Sequence, residues 1–79
     1  MPEISDKELK KNIITYLRQM VDGQLDEAQK TADSIAPYGP RAVKILDTIA
    51  VSDIPERGLA DIPQQVLSGL IRNFRTRIS

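Results

Sequence analysis

Prolines and glycines set the strongest limits on how this chain can fold. They stand at Pro2, Gly23, Pro37, Gly39, Pro40, Pro55, Gly58, Pro63 and Gly69. Proline lacks the N–H that a helix or strand interior needs, and glycine loses more backbone entropy than any other residue when ordered. Between these breaks the apolar residues recur with the period of a helix, and no alternation is long enough for a strand. The pattern predicts an all-α fold, a small antiparallel bundle of four helices at about 6–21, 24–36, 41–51 and 62–78, with a short helical turn near 54–59. Residues 1–79 are read as a single helical domain.

Each segment carries its own start and stop signals. Ser5-Asp6-Lys7-Glu8 is a capping box, and Ile4 is placed to staple against Leu9. Leu9, Ile13, Ile14, Tyr16, Leu17, Met20 and Val21 then cover an arc wide enough to meet more than one neighbour. Gly23 is expected to end this helix and Asp22 to cap the next. The second helix has a small apolar face, Leu25, Ala28, Ala32, Ile35 and Ala36, and reads as peripheral. Pro37, Gly39 and Pro40 should stop it and leave Tyr38 in a loop. In the third, Ala42, Val43, Ile45, Leu46, Ile49 and Ala50 face inward, with Arg41, Lys44 and Thr48 pointing away.

Asp53-Ile54-Pro55-Glu56 and Asp61-Ile62-Pro63-Gln64 share one pattern: an Asp cap, a proline in the first turn, and Glu or Gln reaching back. The second copy opens the last helix, whose face is Val66, Leu67, Leu70, Ile71, Phe74 and Ile78. Gly69 lies outside that face, so either it is exposed or another backbone comes close there. The first and last helices, with the richest faces, are expected to form the centre.

Composition removes several kinds of chemistry. The chain has neither Cys nor His, which excludes disulfides, the usual zinc ligand set, and nucleophile–base pairs built on thiol or imidazole. The glycines are scattered singly, so no phosphate-cradling loop is present. Paired carboxylates stand at Asp26/Glu27 and Asp53/Glu56, and both pairs suit helix starts. No enzymatic activity and no cofactor or metal is expected.

The eleven basic and eleven acidic side chains cancel, so no global field draws the chain to nucleic acid or anionic lipid. Residues 1–40 carry a charge of −2 and residues 41–79 a charge of +2. No apolar run approaches the roughly 18–20 residues of a membrane span, and the first residues lack a secretion-signal pattern. A cytoplasmic location without membrane attachment is the expectation.

Two short resemblances arise. Asp33-Ser34-Ile35 resembles the modification motif of acyl and peptidyl carrier proteins, but Ser34 stands at the end of a helix rather than its start. The spacing of Gly23, Ala28 and Pro40 resembles the middle of a tetratricopeptide repeat. Gln19 and Thr15 fill its aromatic and leucine positions, and no second copy follows to bury its face.

A chain of this length buries only about 60% of its unfolded surface, and its stability is of the order of 3–5 kcal/mol. With no disulfide or zinc to add to that, the remaining staple is another protein or a second copy of itself. The expected function is a small non-enzymatic protein–protein interaction or regulatory domain, a regulator or adaptor that acts by self-association, as a homodimer, or by docking on a larger partner. Candidate interface residues are Leu17, Met20, Tyr38, Leu70, Arg72, Phe74, Arg75 and Ile78, with Arg72 and Arg75 pairing at the rim against Asp26, Glu27 or Asp33. The alternative is a nucleic-acid-binding module using the C-terminal helix, which carries Arg72, Arg75 and Arg77.

Overall fold

The computed structural model describes residues 4–51 and 59–78. The Asp53-Ile54-Pro55-Glu56 start and most of the turn expected near 54–59 lie outside the described residues. The helices are α1 (Asp6–Val21), α2 (Leu25–Ile35), α3 (Gly39–Val51) and α4 (Gln64–Ile78), with a 3₁₀ turn at Ala36–Tyr38. No strand occurs among the described residues. The protein is a small all-α bundle.

The start of α1 follows the expected chemistry. Ser5 Oγ accepts the Glu8 N–H at 3.2 Å, and Ile4 packs beside Leu9 against the core. Its end is set by Gly23, which takes φ of 80°, a region that only glycine enters without strain. There Gly23 N–H donates to the Met20 carbonyl and Gln24 N–H to the Gln19 carbonyl, the paired bonds of a Schellman motif. Asp22 is drawn into that ending. It is the C-cap residue of α1 and pairs with Arg18 at 3.4 Å, so it does not cap α2 as expected. Gln24 stands at that position and makes no side-chain cap bond.

The break at 37–40 is softer than proline and glycine suggest. Pro37 sits in the first turn of the 3₁₀ segment, where its missing N–H is not needed, and α3 begins at once at Gly39 with Pro40 next. Tyr38 is thus half-buried on a helical turn rather than held in a loop. Gly39 is buried, and a Cβ there would meet the Ile78 carbonyl at 3.1 Å. Its small size admits the end of α4, so α2, the turn and α3 run on as one bent rod.

That rod returns along α1. Near the end of α1, the Thr31 hydroxyl donates to Gln19 Oε1 at 2.7 Å; near its start, Arg41 donates to the Ile4 carbonyl at 2.7 Å and also pairs with Asp6. Arg41 therefore spans two elements, whereas the sequence reading pointed it outward. Helix α4 runs antiparallel to α3, with Arg75 on Asp47 at 3.2 Å and Ile78 beside Gly39.

Helix α2 packs chiefly on α1, through Ala28, Ala32 and Ile35, which keeps it at the edge of the bundle as expected. One further expectation needs correction. The centre is α1, which touches all the other helices, while α4 leans chiefly on α3. Phe74 is the exception, reaching Tyr16 with ring centroids 4.2 Å apart and planes tilted by 59°. Around that pair, Leu9, Ile13, Leu17, Ile35, Leu46 and Leu59 are fully buried. No polar or charged side chain is buried among the described residues.

Candidate functional site

The approach to α4 places the first notable polar cluster. Ile62 turns into the core, its N–H donating to the Leu59 carbonyl at 3.1 Å, so the helix opens only at Gln64. Asp61 is then too far back to cap it. Its carboxylate instead takes both oxygens to Arg18 Nη1 at 2.7 Å, and Arg18 also reaches Asp22. The hydrogen bond from Arg18 holds the Asp61 carboxyl below its ordinary 3.8. The same bond, with the Asp22 and Asp61 charges, raises the Arg18 guanidinium above its usual range. Both partners are well exposed, so the pair is a surface clasp between α1 and the α4 approach rather than a buried charge.

A second feature is an open groove of about 440 Å³ with a mixed lining: Tyr16 and Met20 of α1, Leu25 and Gln29 of α2, and Asn73, Thr76 and Arg77 of α4. Leu25 is 61% exposed. Along α4, Val66, Leu70, Asn73 and Arg77 follow the i, i+4, i+7, i+11 spacing of one helix face, so they form a stripe that leads into the groove. Val66 on that stripe is 46% exposed. Of Val21, Leu25 and Val66, the exposed large apolar residues among those described, Leu25 lines the groove.

The expected interface residues divide among three places. Leu17 and Phe74 are enclosed in the core of the chain itself. Met20 lines the groove, and half-buried Leu70 lies on its α4 stripe. The others lie elsewhere: Tyr38 with the Arg41 guanidinium 5.9 Å over its ring, Ile78 at the Gly39 contact, and Arg72 and Arg75 in a small hollow with Asp47 and Ala50. Leu25 and Val66 were not anticipated as surface residues, and Arg77 was named only with the nucleic-acid alternative. Leu25 did carry a signal: it opens its helix, and the residue one turn on, Gln29, is polar, so Leu25 lies at the edge of the apolar face.

Remaining chemistry is sparse. Asp26 and Glu27 lie exposed in the first turn of α2, with Lys30 3.9 Å from Glu27. Lys7, Lys10 and Lys11 line a shallow surface hollow interrupted by Glu8. No protein-family model, curated protein or solved structure matches this chain.

Proposed function

We propose that this chain is a non-enzymatic protein–protein interaction domain, a regulator or adaptor, acting by self-association or by docking on a larger protein. The observation that carries this reading is Leu25, 61% exposed, standing with Met20 in one open groove. A singly exposed apolar residue needs no explanation, but one set beside other apolar side chains in a concave site offers a partner an anchor. The proposed setting is the cytoplasm. No helix among the described residues is long and apolar enough to cross a membrane.

The test compares the wild-type chain with Leu25→Asp as bait in cells of the source organism, followed by rebinding of any captured protein in purified form. The reading expects a stoichiometric complex, with a foreign protein or a second copy, that Leu25→Asp loses. Equal capture by both baits, or no complex with either, contradicts it.

The alternative, nucleic-acid binding by α4, is less well supported. Arg75 is engaged by Asp47, and Arg77 lies about 160° around the helix from Arg75, away from the face that Arg72 and Arg75 share. That alternative requires salt-sensitive retention on heparin, lost when Arg72, Arg75 and Arg77 are all changed to alanine.

A further inference from the structure

One edge of the groove carries a cation, and a carboxylate stands just beyond the other. On the α2 side, Gln29 lines the groove and donates to Asp33 Oδ1 at 3.2 Å, which ties the Asp33 carboxylate to a lining residue. Asp26 lies at about the same angle around α2 as Asp33, since seven residues make nearly two turns. On the α4 side the lip is Arg77. Among the described residues, neither Arg77 nor Asp26 makes an ion pair within the chain.

We propose that the occupant of this groove is a second copy of the same chain, related by a two-fold axis. The proposal rests on the interaction reading above and names its partner. In a two-fold contact, whatever one copy presents to the other it also receives. Carboxylates just beyond one edge and a guanidinium on the other, with Leu25 and Met20 between them, meet that condition. Turned through 180°, Asp26 and Asp33 of one copy fall opposite Arg77 of the other, and the pairing repeats on the far side. Leu25 and Met20 meet their counterparts in the middle, where exclusion of water is most complete. A groove with like charge on both lips would repel its own copy. Here the sign pattern favours self-pairing and sets its direction.

Sedimentation equilibrium on the full chain tests this with four proteins: wild type, Arg77→Glu, Asp33→Arg and the variant carrying both changes. The wild type should show a reversible monomer–dimer equilibrium. Each single change sets like charges opposite one another at two symmetric places and should weaken association about tenfold, and the double change should restore it. Leu25→Asp should be monomeric with an unaltered circular dichroism spectrum, since the site is exposed and the fold does not depend on it. A wild-type chain that stays monomeric up to about 1 mM overturns self-pairing. The capture experiment above then decides separately whether the interaction reading stands. A dimer that ignores the charge reversals and Leu25→Asp overturns the groove as its interface.

Discussion

The same truncation at two leucines separates the core from the docking surface. Leu17 is wholly buried in α1, and Leu25 is 61% exposed at the start of α2. Leu17→Ala removes the transfer energy of the lost methyl groups and leaves a cavity, a loss of about 2–5 kcal/mol. A chain of this length has a total stability of only about 3–5 kcal/mol, so that single change takes most or all of it. Leu25→Ala removes a side chain already largely in water. With roughly two-fifths of the residue shielded, and about 1.5–3 kcal/mol for full burial, the loss is about 1 kcal/mol before alanine's better helix propensity offsets part of it. Urea unfolding followed by circular dichroism, at a concentration low enough to keep the chain monomeric, reads both. With a slope near 1 kcal/mol per molar for so small a domain, the Leu17→Ala midpoint should fall by about 2 M or more, and the Leu25→Ala midpoint by less than about 1 M. Equal shifts would refute the assignment of Leu17 to the core and Leu25 to the surface.

Other perturbations probe separate parts of the structure. Gly69 lies inside α4 with open space where a Cβ would go, so Gly69→Ala should stabilise by about 1 kcal/mol and raise Tm by about 4–8 °C; a lower Tm would mean that something packs there. Phe74→Leu loses the Tyr16 ring contact and some volume and should cost about 1–3 kcal/mol in thermal unfolding; an unchanged Tm would show that the pair contributes nothing. Because Asp61 is held below 3.8 in the folded state, its clasp with Arg18 contributes at pH values above that and is lost as pH falls from there toward the lowered value. Wild type should therefore exceed Asp61→Asn in stability by a small, salt-sensitive margin near neutrality, and the two should converge in acid melts; a gap that persists below the titration range would assign the effect to something other than the charge.

Much of the fold was legible because its signals are local. Ser5, Glu8 and Ile4 act within one turn of each other, and Gly23 decides its own φ, so the bounds of α1 could be read without knowing the neighbours. The errors fall where two elements compete for one residue. Asp22 could cap the helix ahead or close the helix behind, and Arg18 behind it decides the outcome. Asp61 looks like a cap until Ile62 is drawn into the core and Arg18 takes the carboxylate. Pro37 and Pro40 were read as breaks, yet both occupy first-turn positions where a helix accepts proline. The candidate surface was the least legible part. Leu17 and Leu25 are the same residue type on predicted apolar faces, and only the placement of α2 against α1 buries one and exposes the other. Arg77 differs from Arg72 and Arg75 by the direction in which α4 presents it, which depends on how Phe74 seats that helix against Tyr16.

The region around Tyr16, Met20, Leu25 and Arg77 is proposed as the seat of a second copy of the chain. Backbone amide spectra recorded by NMR across a dilution series, from millimolar to micromolar, test it residue by residue. Concentration-dependent shifts are expected at Met20, Leu25, Gln29, Asn73 and Arg77, with the signals of Lys7, Lys44 and Arg72 unmoved. Shifts confined to the Arg72 and Arg75 side, or spectra identical at every concentration, would contradict it.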